Sequence, residues 1–424
     1  MFKKFLRVSM TASLAVGLLA ACGPQDSEGT EDTTKKDSSN DKPEKLIVWE
    51  DKEKGIALEP AIKSFEEKYG IKVEYKELGM ADEIREQLPL DAPAGTGPDI
   101  LTLPHDQIGA MATQGLLAPL EVSEDVINTF TESSIQAQTF NGELYGLPKA
   151  TETPVFIYNK AHMDKAPESF NELYEFSKGF TKDGKYGFLA LWDNFYFANA
   201  IMAANGGYVF QQTAEGLDAS DLGLNNEGAV EGAEYIQKWY DEGLFPKGII
   251  GESGGSAMDA LFNEGKVASV MNGPWAFKGM RDAGIEIGVA PLPKLPNGEY
   301  PKTFIGVKGW HVSAYSENKE WATRLVEWLT NAENAKIRYE KTSEIPPVKS
   351  LMEDPIIADN EGANAVAVQS QRGVPMPNIP QMGQVWGPMA SALQLIVTGK
   401  QEPKAALDEA VNTIKAQIEA SGAE

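Results

Sequence analysis

The chain has 424 residues and a formal net charge of −24, with 62 Asp and Glu against 38 Lys and Arg. Neutralising nucleic-acid phosphates takes basic surface, so this balance argues against a nucleic-acid partner. A single cysteine excludes any disulfide within the chain.

Residues 1–21 read as a secretory signal. Lys3, Lys4 and Arg7 precede a short run of small apolar residues from Val8 to Ala21, too short to span a bilayer. The run ends "LAAC", which resembles the lipobox of bacterial lipoproteins, where the signal is removed at a cysteine that becomes lipidated. Cys22 is therefore expected to carry the lipid, and a diacylated cysteine supplies enough buried chain for stable anchoring. Residues 22–44 then form a polar stretch. From Gly23 onward it has no aromatic and no aliphatic residue, so it cannot order itself by burial and reads as a disordered tether. About 380 residues remain, which favours two lobes over one core. No later run is long and apolar enough to cross a membrane.

From Lys45 strands alternate with helices. "KLIVWE" reads as a strand. Leu58, Ala61, Ile62 and Phe65 follow at helical spacing, with Pro60 early and Gly70 as the stop. "IKVEYKEL" predicts a second strand, "ADEIREQLPL" a helix and "DILTL" a third strand, with Ile108, Met111 and Ala112 on the next helix. This order predicts a mostly parallel sheet with helices on both faces. A second unit begins after "YGLPKATETP": "VFIYN" is a strand, and Ser169 with Glu172 makes a capping box. Val230, Ala233, Ile236, Trp239 and Tyr240 mark a helix, as do residues 258–263, and "VASVM" is a strand. "FIGVKGW" (304–310) returns the chain to the first lobe and the helical C-terminus returns it to the second. Several crossings make a hinge, with a cleft where strands deliver their carboxyl ends.

"VMNGPWAF" (270–277) sits at such an end. Pro274 suits the first turn of a helix, where its missing N–H costs nothing. Trp275 is then held just beyond a strand, where ligands bind in open α/β sheets. Trp239, Trp321 and Trp328 lie at helical spacing among apolar residues and Trp49 lies within a strand; all four read as core. No Walker loop, His-Glu-x-x-His or Gly-x-Ser-x-Gly motif is present, and His105, His162 and His311 have no metal-ligand spacing. Neither a cofactor nor a metal is expected, and no internal repeat is visible.

"KLIVWEDKEKG" (45–55), "GPDILTLPHDQIGAMATQGLLAPL" (97–120), "YGLPKATETPVFIYNK" (145–160), "YFANAIMAANGGYVF" (196–210), "FNEGKVASVMNGPWAF" (262–277) and "MPNIPQMGQVW" (376–386) together resemble the maltose/maltodextrin-binding proteins of bacterial sugar importers. The resemblance implies an α/β, two-lobe periplasmic-binding-protein-like fold with a multi-segment hinge and an interlobe ligand cleft. The lobes implied are 45–151 with 307–352, and 154–304 with 358–424. It implies capture of maltodextrins, maltose among them, without catalysis. The implied partners are the permease subunits and ATPase of an ABC transporter, met by a monomer lipid-anchored on the extracytoplasmic face of the cell membrane.

Matched by motif, the family's polar ligand residues fall on Glu53, Lys54, Asp106 and Glu152. Its aromatic platforms fall on Tyr196, Trp275 and Trp386, with Met376 on the same wall. These types suit a sugar, whose C–H face lies on aromatic planes and whose buried hydroxyls need partners. Carboxylates accept those hydroxyls in charge-assisted bonds and a lysine donates back. The chain departs from the pattern at Leu103 (usually tryptophan), Gln107 (usually arginine), Asn194 (a glutamate is expected, with Asp193 adjacent) and Gly387 (usually tyrosine). With fewer first-lobe contacts, maltotriose and longer chains are expected to bind better than maltose.

Two rival readings remain: a secreted glycosidase, which also sets carboxylates across a sugar cleft, and a receptor for another solute such as a peptide or ferric ion. The aromatic platforms oppose iron, and the implied tether opposes a freely secreted enzyme. The tether is directly testable. Cys22→Ala should leave sugar binding intact and move the protein out of the membrane fraction; a variant that stays membrane-bound removes the lipoprotein reading.

Overall fold

The computed structural model describes residues 42–80, 82–213 and 216–421. The expected signal segment, Cys22 and the tether as far as Asp41 lie outside the described residues.

The first lobe is built on β1 (Lys45–Asp51), α1 (Gly55–Tyr69), β2 (Lys72–Leu78), α2 (Glu83–Asp91), β3 (Ile100–Pro104) and α3 (Ile108–Thr113). β1 pairs in parallel with β2 and β3, so β1 and β3 end at the same edge of the sheet. That is the expected βαβ arrangement. Two long strands then depart from it. β4 (Gly146–Glu152) ends at this edge, while β5 (Val155–Asn159) begins the second lobe after only Thr153 and Pro154.

Beyond β5 come α4 (Phe170–Phe180), α5 (Phe195–Ala204), α6 (Glu227–Asp241), α7 (Gly254–Asn263), β6 (Ser269–Asn272) and β7 (Ile287–Ala290). β6 and β7 both pair antiparallel with β5. The second-lobe sheet, for which the sequence set no strand direction, is thus antiparallel. β5 enters from the hinge and runs away from it, whereas β6 and β7 run back toward it, with Asn272 opposite Val155. β8 (Phe304–Ser313) crosses back and pairs antiparallel with β3 and with β4, Gly306 lying opposite Glu152. Thr153, fully buried in the crossing, donates to the Phe304 carbonyl at 2.8 Å and ties both passages together. The first-lobe sheet is therefore mixed.

α8 (Lys319–Thr330) and α9 (Ala332–Thr342) cover the first lobe; α10 (Glu361–Ser370), α11 (Trp386–Val397) and α12 (Pro403–Ser421) belong to the second. Ala233, Ile236, Trp239 and Tyr240 bury one stripe of α6, at the spacing the sequence predicts, with Ala229 buried where Val230 was expected and Val230 only partly buried. Gly232 lets α5 approach: a Cβ there would stand 2.6 Å from the Met202 Cα. Trp239 is fully buried among Phe170, Phe188, Trp192 and Phe245. Trp49 is buried in a separate first-lobe core with Leu101, Leu103, Ile84 and Met111. Trp321 and Trp328 are only partly buried, packed beside Tyr69 of α1. At the start of α4, Ser169 Oγ accepts from the Glu172 N–H at 3.2 Å. The Glu172 carboxylate answers at Glu168 N (2.9 Å), one residue earlier than in a capping box.

Candidate functional site

The edge where β1, β3 and β4 end faces the edge where β6 ends, and most of the candidate residues gather there. Trp275 lies in a single turn, Pro274–Ala276, immediately after β6, with Pro274 in the first position. Its ring is folded over Gly273, where a Cβ would fall 2.0 Å from the indole. Asn272, buried, fixes the turn by accepting from Gly273 N at 2.8 Å and donating to Asp259 at 3.0 Å. Tyr196 stands in the first turn of α5, which Asn194 caps by accepting from Tyr196 N at 2.9 Å. The Tyr196 ring is 6.1 Å from Trp275 and 6.2 Å from Phe304, and Phe304 is 5.9 Å from Trp386. Trp275, Tyr196, Phe304 and Trp386 thus form one aromatic wall. Phe304, at the start of β8, was not singled out in the sequence.

Charges lie opposite this wall. Asp106 is buried in the one-turn helix after β3. Burial pushes its carboxyl up to about 6, against a hydrogen bond from Trp386 and the charge of Arg85, while the nearby Glu152 pushes the same way as burial. Glu152 ends β4 and is likewise raised, by burial opposed by Lys308, whose Nζ is 2.8 Å away. The Tyr196 hydroxyl is held well above the usual phenol range, by burial and then by the charge of Glu152. It is buried with no hydrogen-bond partner among the described residues. A buried polar group left unpaired is costly, so this hydroxyl is available to a ligand group.

Beneath Glu152 runs a chain of buried charges. Lys308 also reaches Glu344 at 3.2 Å, Lys149 lies 3.8 Å from Glu344, and Lys149 pairs with Glu50 at the end of β1. Arg338 of α9 donates to the Lys149 carbonyl at 2.8 Å. Three acids (Glu50, Glu344, Glu152) face three cations (Lys149, Lys308, Arg338), so the set is neutral. Burial acts against the charge on Glu344, yet Lys149 and Lys308 outweigh it and hold that carboxyl far below the usual range. Burial raises Glu50 despite Lys149. None of Glu50, Lys149, Lys308 and Glu344 was picked out in the sequence. The available signal was a charge inside an apolar strand, in "IVWE" and "GVKGW", where a buried ion requires a partner.

Glu53 and Lys54 sit apart from the wall. Glu53 is exposed on the turn after β1, in a left-handed conformation with φ 62°. Its charge acts across the cleft on Asp259 of α7, whose carboxyl burial pushes up to about 6. Lys54 is nearly buried beside it, and its charge helps hold Glu344 ionised. Met376 is buried, and its carbonyl takes a 3.0 Å hydrogen bond from His105 Nε2, while Val307 N donates to His105 Nδ1 at 3.1 Å. His105, held neutral by burial with its pKa near 4, joins the β3 turn, β8 and the Met376 segment. Leu103 is buried in the first-lobe core, Gln107 is also buried, and Asp193 accepts from Gly251 N at 2.7 Å. Gly387 is exposed at the start of α11.

Two α/β lobes, joined by chain crossings and enclosing a cleft with an aromatic wall and a charged floor, define a solute receptor. Residues 60–365 match the model of the bacterial extracellular solute-binding proteins, and the chain belongs to that family. It is 47% identical over 423 residues to a galactooligosaccharide-binding protein of Bacillus subtilis (strain 168), covering 99% of this chain and 98% of that one. A maltodextrin-binding protein of the same strain is 34% identical over 427 residues, with 99% and 98% covered. Among solved structures, a cyclo/maltodextrin-binding protein complexed with maltotetraose matches with a TM-score of 0.76 and 42% identity, over 90% of this chain and 98% of that one. A Streptococcus pneumoniae protein in complex with maltopentaose matches with a TM-score of 0.82 and 34% identity, over 88% and 100%. No described helix is long and apolar enough to cross a membrane.

Asp106 gives a stability prediction with a definite sign. Its folded pKa lies above the ordinary value, so its contribution to stability is full below pH 4 and is lost as pH rises toward about 6. Asp106→Asn keeps an acceptor for Trp386 and removes the buried charge. At pH 7 it should stabilise the ligand-free protein by on the order of 2 kcal/mol, a gain that vanishes near pH 4. Denaturant melts at the two pH values check this, and a destabilised variant at pH 7 contradicts it.

Proposed function

We propose that this protein is the receptor of a sugar importer, capturing maltodextrins at the interlobe cleft and presenting them to an ABC permease and its ATPase. It acts from a lipid anchor at Cys22 on the extracytoplasmic face. The lobes are taken as 45–151 with 307–352, and 154–304 with 358–424. The carrying observation is the wall of Trp275, Tyr196 and Trp386, backed by buried Phe304, set against buried Asp106 and half-buried Glu152. Successive pyranose C–H faces stack on the wall while hydroxyls donate to the carboxylates. Met376 closes the same wall; Glu53 and Lys54 serve the rim, Glu53 from the exposed turn facing Asp259.

The role is capture without cleavage. Glu152 is ion-paired to Lys308 at 2.8 Å rather than kept as a free acid, and the Trp386 indole already occupies Asp106. Overnight incubation with maltohexaose should release no shorter sugar.

Galacto-oligosaccharides are the second reading, favoured by the 47% identity to a relative of that name. Both ligands are neutral hexose chains with an apolar ring face, and Leu103 is buried in the core rather than shaping the cleft. Calorimetric titration with maltose through maltoheptaose, a cyclodextrin and galacto-oligosaccharides decides between them. On the maltodextrin reading maltotriose and longer chains outbind maltose and galacto-oligosaccharides bind weakly. Trp275→Ala should then weaken the preferred sugar by about tenfold or more with little change in ligand-free melting. Trp239→Ala is the matched control, expected to cost about 3–5 kcal/mol of stability at near-normal affinity. Early melting of Trp275→Ala with normal affinity would place the residue in the core and the site elsewhere.

A further inference from the structure

The buried charge chain ends in the cleft, and its last cation has a use beyond balancing charge. Lys308 Nζ lies between two carboxylates, 2.8 Å from Glu152 and 3.2 Å from Glu344, with its side chain 4% exposed. Glu344 is itself fixed by Lys149 and sits within reach of the charges of Lys54 and Arg338. Lys308 is also anchored by the backbone, because β8 is locked to β3 at Pro104 and to β4 at Ala150 on either side of it. Its ammonium is held from the other side by Glu344 at 3.2 Å. One oxygen of Glu152 is held by the lysine, and the charge of the carboxylate is felt at the unpartnered Tyr196 hydroxyl.

We propose that Lys308 is a positioning residue for ligand recognition, holding Glu152 ionised and in one orientation so that its free oxygen accepts a sugar hydroxyl. The inference rests on the reading of Glu152 as a ligand acceptor. The titratable groups facing the pair are Glu344, Asp51 at the end of β1, Asp106 after β3, and the neutral Tyr196 hydroxyl from the second lobe. The three acids discourage charge on Glu152 and the Tyr196 phenol is neutral, so Lys308 is the counter-ion in direct contact with the carboxylate.

The test is calorimetry from pH 6 to pH 9 with maltotetraose and a galactotetraose, using wild type, Lys308→Met, Lys308→Arg, Glu152→Gln and the Lys308→Met/Glu152→Gln pair. Lys308→Met should bind more than about tenfold more weakly at pH 7 and regain about tenfold per pH unit while Glu152 remains protonated. Lys308→Arg should restore most of the affinity. Glu152→Gln should bind weakly at every pH, and adding Lys308→Met to it should cost nothing more. If Lys308→Met does not fold, Lys308→Met/Glu344→Gln removes an acid with the base and carries the same pH readout. A loss of equal size at every pH, or unchanged affinity, overturns the inference. Normal binding by Glu152→Gln, or no binding of either sugar by wild type, instead overturns the reading of the cleft.

Discussion

The pairing of Lys308 with Glu152 and Glu344 is the constraint around which the rest of the molecule is arranged. An isolated ion in a protein interior costs several kcal/mol, and removing one member of a buried pair leaves its partner uncompensated. Glu50, Lys149, Glu344 and Lys308 are all essentially buried, so none is tolerable without the next. They come from β1, β4, β8 and the segment after α9, which must therefore meet in one register. A one-residue slip of β8 against β4 would turn Lys308 to the opposite face and strand two carboxylates. The register shift between Lys308 and Gly309 falls just where that alignment is set.

The same edge then divides labour between the lobes. The first lobe and its crossings supply charge: Asp106 follows β3, Glu152 ends β4 and Lys308 lies within β8. The second lobe supplies apolar surface through Trp275, Tyr196 and Trp386, with Tyr196 and Trp386 packed at an angle against Phe304 at the start of β8. A ligand satisfying both must carry apolar faces and donor hydroxyls along one length, which is the chemistry of an oligosaccharide and not of an ion. β4 and β8 reach the crossings between the lobes close to these charges.

Trp275 was legible because its environment is local: an apolar strand, a Gly-Pro turn and an aromatic occupy consecutive positions, and Gly273 is bare because the indole lies on it. The α6 stripe was legible for the same reason, its period being written within one helix. The antiparallel second sheet was not, because the direction of β5 is set by the crossing before it and leaves no trace in its own residues. The charge chain was hidden more deeply: Lys149 and Glu344 are far apart in sequence, and a lysine in a strand does not announce which carboxylate it meets. Leu103 and Asn194, read as departures at ligand positions, have structural roles in the core and at a helix cap.

The most direct measurement is a crystal structure with the tightest-binding oligosaccharide bound. Hexose rings should lie against Trp275 and Trp386, with one hydroxyl within about 3 Å of the Glu152 oxygen not held by Lys308 and another on the Tyr196 hydroxyl. A sugar bound elsewhere, with Tyr196 still unpartnered and the wall bare, would contradict the account.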